Sequence, residues 1–132
     1  MARITHIAVK VDNLETIAEF YNKVFGMEPV GKSRGPDRSR VAFSDGDINL
    51  TFLHYDNEEV EMAKEVGEGP QIHHFGIEVD DPHRFVPILE ANGAKVLSKP
   101  GEIPVKFRMP GGPIAELVPD GSFAGGLQRG RG

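Results

Sequence analysis

Cysteine is absent from this chain of 132 residues, which removes disulfides, thiolate nucleophiles and cysteine-based zinc or iron–sulfur sites together. Any metal would have to be held by histidine and carboxylate. Positive charge is also short, with 15 Lys and Arg against 20 Asp and Glu and a net charge of −5. Nucleic-acid binders neutralise phosphates with a basic surplus, so that class is set aside, and the same sign disfavours anionic membrane surfaces. No apolar run approaches the roughly 20 residues that cross a bilayer. The N-terminal Met1-Ala2-Arg3-Ile4-Thr5-His6 leads directly into a strand-like alternation rather than a signal-peptide core. We therefore expect a cytoplasmic protein that binds neither nucleic acid nor membrane. What the chain does have, 39% hydrophobic and 27% charged residues, suits an ordinary globular unit with one core.

One scheme occurs twice. His6-Ile7-Ala8-Val9-Lys10-Val11-Asp12 and His74-Phe75-Gly76-Ile77-Glu78-Val79-Asp80 share histidine, aliphatic, charge, valine and aspartate at matching places, 68 positions apart (74 − 6). Each copy alternates with period two, the mark of a strand with one buried face. Ile7, Val9 and Val11 point one way, as do Phe75, Ile77 and Val79. His6, Ala8 and Lys10, and His74, Gly76 and Glu78, take the opposite faces. Helix starts follow, at Asp12 with Glu15 three positions on and at Asp81 before Pro82. Leu14, Ile17, Ala18, Tyr21, Val24 and Phe25 form an apolar stripe that should pack on the Ile7/Val9/Val11 face and stop at Gly26. Phe85, Ile88 and Leu89 form a shorter stripe, with Pro87 expected to remove a hydrogen bond or kink the helix.

Extended segments come next: Met27 to Lys32, Arg40 to Ser44 and Ile48 to Tyr55, then Lys95 to Ser98, Val105 to Met109 and Ile114 to Val118. The count is βαβββ twice, so the expected fold is α+β, with a cup-shaped mixed sheet and helices on its outer face. Residues 1–120 are expected to form a single domain of two modules, about 3–56 and 72–119. Residues 57–71 would be a linker holding a short helix within Glu58 to Val66, and 121–132 a flexible tail.

His6 and His74 project from equivalent strands into the cup. Ile114, Glu116 and Val118 share a face, which sets a carboxylate among apolar neighbours, where it is costly without a partner. A lone histidine on a strand is more often a hydrogen-bonded structural residue than a ligand. Two at matched positions of a duplication, with a carboxylate on the final strand, instead point to one divalent ion held by His6, His74 and Glu116, with coordination positions left open. Imidazole and carboxylate suit Fe, Mn, Zn, Ni and Co alike. Counting by twos from Asn49 puts Thr51, Leu53 and Tyr55 on the cavity face, making Tyr55 a candidate acid or substrate hydrogen bonder, with a buried, satisfied hydroxyl as the alternative. The same counting turns His54 and His73 away, to structural or surface roles. Lys10 and Glu78 are expected to pair at the rim. Lys32, Arg34, Arg38 and Arg40 could draw in an anionic substrate, although a solvated loop is the favoured reading.

The paired histidine openings, the stretch Phe20-Tyr21-x-x-Val24-Phe25-Gly26-Met27 and the closing Glu116-Leu117 resemble the vicinal-oxygen-chelate superfamily. That superfamily includes glyoxalase I, extradiol dioxygenases, fosfomycin-resistance proteins, methylmalonyl-CoA epimerase and bleomycin-binding proteins. The resemblance covers about residues 3 to 119 and implies metal ligation by His6, His74 and Glu116, and a homodimer. Ile48-Asn49-Leu50-Thr51 is similar to a glyoxalase I segment that carries a fourth ligand, so Asn49 takes that place and would hydrogen-bond a metal-bound water or the substrate. Losing a carboxylate there puts lyase and epimerase activity in doubt. The implied function is a metal-dependent enzyme acting on a small molecule through its vicinal oxygens, dioxygenase-like or glyoxalase/lyase-like, with Glu116, Tyr55 and Asn49 as candidate catalytic residues. The alternative is a metal-free drug- or metabolite-binding protein of the bleomycin-resistance kind.

Overall fold

The two histidine-led alternations become the central strands, β1 (Arg3–Lys10) and β5 (Gln71–Val79), which run antiparallel to each other. In the computed structural model, which describes residues 2–121, the first half adds β2 (Gly31–Arg34), β3 (Arg38–Ser44) and β4 (Asn49–Tyr55). The second half adds β6 (Lys95–Val96), β7 (Val105–Arg108) and β8 (Ile114–Pro119). All eight join one sheet in the order β2-β3-β4-β1-β5-β8-β7-β6. β4 pairs parallel with β1 and β8 parallel with β5, so the halves repeat the same connection on either side of the β1–β5 seam. This is the α+β arrangement of two βαβββ modules expected from the duplication.

One helix from each half covers the same face of the sheet because each half supplies an apolar stripe. On α1 (Leu14–Phe25), Leu14, Ile17, Ala18 and Tyr21 pack on Val11, Val41, Phe43 and Phe52. A 3₁₀ turn (Pro82–Phe85) runs into α3 (Val86–Ala91), and Phe85, Val86 and Leu89 pack on Val79, Val105, Phe107, Ala115 and Leu117. Each fully buried large side chain, such as Phe43 at 0% exposure, contributes about 1.5–3 kcal/mol. Between the halves, α2 (Glu61–Val66) lies within the acidic segment, as anticipated. The segment is tied down by Lys10 Nζ, which donates to Glu58 Oε1 (2.8 Å) and to the Gly67 carbonyl, and by Arg108, which donates to Glu65 Oε2 (2.8 Å).

Several local expectations are corrected. Asn13, not Asp12, caps α1, its side chain accepting from the Thr16 N–H, while Gly26 ends the helix at φ 71° as expected. Val24 and Phe25 belong to the stripe by spacing but are 56% and 62% exposed, and the packed part of the stripe ends at Tyr21. Pro87 neither kinks nor weakens α3, since it sits in the first turn, where its missing N–H has no intrahelical acceptor to lose. The second strand begins at Gly31 rather than Met27, beyond Pro29, which has no N–H to give a ladder. Lys10 and Glu78 do not pair: they lie toward opposite ends of the antiparallel seam, Lys10 level with Gln71 and Glu78 with Arg3. The expected flexible tail, apart from Gly121, lies outside the described residues.

Candidate metal centre

The face away from α1 and α3 carries the site, with α2 packed against part of it through Ala63, and strand register explains how its parts meet. Asn49, His6, Gly76, Glu116 and Lys106 lie on one line across β4, β1, β5, β8 and β7. His6 and Glu116 are therefore two strands apart, with Gly76 between them. A Cβ at Gly76 would stand 2.0 Å from His6 Cε1, so only a residue without a side chain leaves room for that ring to cross toward Glu116. His74 enters from one register level away, opposite Ala8. The result is a triangle: His6 Nε2 to His74 Nε2 is 3.1 Å, and Glu116 Oε1 is 3.2 Å from the first and 3.3 Å from the second. A single chain assembles all three.

Two β-bulges orient the rings. Thr5 on β1 and His73 on β5 have no partner across the seam, where the register shifts by one residue at each. Each immediately precedes a site histidine, and both are buried. The Thr5 hydroxyl donates to the Gly76 carbonyl (3.2 Å), which makes its oxygen the acceptor for His6 Nδ1–H (3.0 Å) and leaves His6 Nε2 unprotonated, facing His74 and Glu116. His73 Nδ1 lies 2.6 Å from His74 Nδ1, and His73 Nε2 lies 2.7 Å from the Tyr55 hydroxyl. Burial, followed by the nearby His74, pushes His73 down to about 3, so it is neutral and carries one proton. With that proton on Nε2, donated to Tyr55, His73 Nδ1 accepts from His74 Nδ1–H and bares His74 Nε2 as well.

Burial alone would raise the Glu116 carboxyl; with protons rather than a cation among the three donors, hydrogen bonds from His6 and His74 and their nearby charge outweigh it and hold the group well below the usual carboxylate range. Two lone pairs and a carboxylate oxygen held this close repel one another unless a cation or protons sit among them. Donors about 2.1 Å from a shared ion stand about 3.0 Å apart at a right angle and about 3.4 Å apart at the tetrahedral angle. The observed 3.1–3.3 Å falls in that interval. The donors are also mutually adjacent, so they fit one face of an ion and leave its other side to the cavity.

Residues 3–110 match the family described as the Glyoxalase/Bleomycin resistance protein/Dioxygenase superfamily. The chain belongs to this superfamily. The matched region stops short of Glu116, so that residue is placed by geometry rather than by the match. Among curated relatives, a trivalent organoarsenical cleaving enzyme of Bacillus sp. (strain MD1) is 33% identical over 84 residues, covering 64% of this chain and 45% of its own length. A probable chloroplastic lactoylglutathione lyase of Arabidopsis thaliana is 29% identical, covering 76% of this chain and 29% of its own length. This chain thus spans less than half the length of either. A methylmalonyl-CoA epimerase from Mycobacterium tuberculosis superposes with a TM-score of 0.69 at 19% identity, over 88% of this chain and 86% of that one, which shows a shared fold.

On this superfamily scaffold the remaining sequence candidates divide. Asn49 is buried at 1% exposure and lines the cavity, and its Nδ2 has no hydrogen-bond partner among the described residues. It is not, however, the counterpart of Glu116. Thr51 lies level with Ala8 as Glu116 lies level with Gly76, so the register assigns the matching place in the first module to Thr51, two residues on. Tyr55 is buried against Leu53, Ala8 and Ala63, and its hydroxyl is taken by His73 and by Arg38 Nη1 (3.2 Å), so it supports His73 instead of facing a substrate. Burial raises its phenol above the ordinary value. His54 turns away as expected, with Nδ1 3.1 Å from the Val11 carbonyl. His73 was missed because the bulge puts two consecutive residues on the cavity side, which period-two counting forbids. Lys32, Arg38 and Arg40 stand on strands rather than in a loop and line the cavity, Lys32 and Arg40 while still solvent-exposed; Arg34 instead pairs with Asp56 outside it.

Proposed function

We propose that this chain is a metal-dependent enzyme acting on a small molecule that presents vicinal oxygens to one divalent ion. The observation that supports it most is the set of three mutually adjacent donors, His6 Nε2, His74 Nε2 and Glu116 Oε1, facing a cavity of about 610 Å³. That volume suits a small-molecule ligand. When bound, Fe, Mn, Zn, Ni or Co supplies Lewis acidity toward substrate oxygens and, for iron, reactivity with dioxygen. The chain's own residues do the rest. Thr5 and His73 hold the two imidazoles in the ligating tautomer, the Asn49 amide N–H donates to a substrate oxygen, and Ala8, Leu53 and Val118 keep the cavity wall partly apolar.

Within the superfamily's chemistries we place dioxygenase-type reaction ahead of lyase or isomerase. With Glu116 in the donor set, no second carboxylate lines the cavity among the described residues to take a proton from carbon. The names of the lactoylglutathione lyase and epimerase relatives favour the second reading, in which Glu116 itself moves the proton. Cleavage of trivalent arsenicals fits less well, because that soft centre favours thiolate and the chain has no cysteine. A homodimeric state goes with the proposal, and light scattering reads it directly. The test is a turnover panel of catechols, 2-oxoaldehyde thiol adducts and fosfomycin with Fe(II), Mn(II), Ni(II) and Zn(II). Oxygen uptake with Fe(II) and a catechol supports the first reading; conversion of a thiol adduct without oxygen uptake moves the assignment to the second. A protein that refuses every metal yet binds small molecules is a sequestering protein, and the proposal fails.

A further inference from the structure

The cavity wall has a charge opposite to that of the whole chain. Against a net charge of −5, the side chains lining it include four cations, Lys32, Arg38, Arg40 and Lys106, and one carboxylate, Glu116. Glu116 Oε1 is already engaged by His6 and His74, and its Oε2 lies 3.9 Å from Lys106 Nζ. Lys32, Arg38 and Arg40 have no carboxylate within ion-pair distance among the described residues, whereas Arg34, from the same stretch of sequence, has Asp56. Arg38 is preorganised: Nη1 donates to the Tyr55 hydroxyl (3.2 Å), and its guanidinium carbon stands 5.7 Å from that ring's centroid. Arg40 is held below the ordinary arginine value first by burial and then by the like charge of Arg38, a cost that a nearby anion would relieve. Independently, the buried Asn49 Nδ2 is an unpartnered donor on the same cavity. Away from the His6/His74/Glu116 cluster, the unmet groups lining this cavity are therefore donors, which an acceptor-rich ligand would satisfy.

Their placement separates the donors into two poles. Arg40 pairs with Leu53 and Arg38 with Tyr55, so both lie along β3 beyond Ala42, which is level with Thr51 and, through it, with Ala8 and His74. At about 3.3 Å per residue and 4.8 Å per strand, Arg40 Cα lies on the order of 10 Å from Ala8 Cα, a gap that a flexible arginine side chain reaches halfway across. We propose that the ligand is a small dianion with vicinal oxygens at one end, directed to the His6/His74/Glu116 pole, and a separate carboxylate or phosphonate at the other, held by Arg38 and Arg40. The vicinal-oxygen half rests on the function proposed above; the arginine pole does not.

The experiment compares ligands that differ only in the distal group. 2-Oxoglutarate and 2-oxoadipate are titrated calorimetrically into the metal-loaded protein beside 2-oxopentanoate and 2-oxohexanoate, which match them in chain length but lack the distal carboxylate. At least one diacid should bind about tenfold or more tightly than its partner, as expected for charge-assisted hydrogen bonds. That preference should weaken with salt and disappear in Arg40→Gln and Arg38→Met. Equal affinity within both pairs, or a preference that survives both substitutions, overturns the proposal. Glutarate titrated into metal-free protein separates the two claims. If the chain takes up no metal but glutarate binds in an Arg40-dependent way, the anion pole stands and the metal reading falls. If metal binds stoichiometrically and no diacid is preferred, this inference alone falls.

Discussion

Replacing Gly76 by alanine adds one methyl group and should dismantle the metal centre. The new Cβ would lie 2.0 Å from His6 Cε1, 2.5 Å from Nδ1 and 2.7 Å from Nε2, where ordinary contact begins near 3.4 Å. Gly76 has ordinary strand backbone, so the requirement is for space and not for glycine's conformational freedom. The ring must retreat by about 1.5 Å, several times the roughly 0.2 Å within which metal–ligand distances are held. It cannot do so and keep both its Thr5 hydrogen bond and its place 3.1 Å from His74 Nε2. Changes to residues that merely support a ligand lower metal affinity about 10–100-fold. Displacing the ligand itself should cost at least about 100-fold, or about 2.7 kcal/mol. The overpacked seam should lose a further 1–3 kcal/mol or so of folding stability. Competition titration with a chromophoric chelator gives the affinity, and thermal unfolding of the metal-free variant shows whether the fold persists. A folded Gly76→Ala protein with wild-type affinity would refute the reasoning about how His6 reaches Glu116.

Four further outcomes are expected. His73→Phe should weaken metal binding about 10–100-fold by freeing the His74 tautomer, and Tyr55→Phe should weaken it less; a double variant no worse than His73→Phe alone would show that the two act in series, and additive losses would argue against it. Thr51→Glu should tighten metal binding by adding a donor opposite Glu116, whereas Asn49→Glu should not; the reverse order would contradict the register reading. His73 is held at about 3 in the fold and titrates near 6.5 when unfolded. The unfolded chain therefore takes up the proton first. Stability should be complete above about pH 6.5 and drain away as pH falls toward about 3, and His73→Gln should flatten that part of the urea-midpoint profile; an equally steep profile would count against it. Finally, Asn49→Leu removes an unpartnered buried donor, so it should raise the melting temperature of the ligand-free protein while weakening diacid binding; unchanged diacid affinity would remove Asn49 from the site.

The fold was legible because two histidine-led strands repeat at a fixed offset, and period-two alternation with turn residues between runs leaves little freedom in counting strands. The clustering of the three candidate ligands was legible for the same reason: His6, His74 and Glu116 sit on faces that alternation assigns to the cavity. What escaped depended on register and single-residue insertions, which have no signature in composition. The bulges at Thr5 and His73 put neighbours in sequence on one face, which hid His73 behind the rule that revealed His74. By the level of β4 against β1 the counterpart of Glu116 is Thr51, whereas the tetrapeptide likeness pointed to Asn49. Lys10 and Glu78 match in the repeat, but an antiparallel seam carries matching positions away from each other. The cationic wall was masked because Arg34, Arg38 and Arg40 read alike until β3 and β4 turn two of them inward.

The central claim is that one ion is shared by side chains from β1, β5 and β8, and anomalous diffraction from crystals grown with Co(II) tests it most directly. The expected map shows one peak per chain, about 2.0–2.2 Å from His6 Nε2, His74 Nε2 and a Glu116 oxygen. A peak held elsewhere, or no peak under conditions in which these three side chains keep their positions, would contradict it.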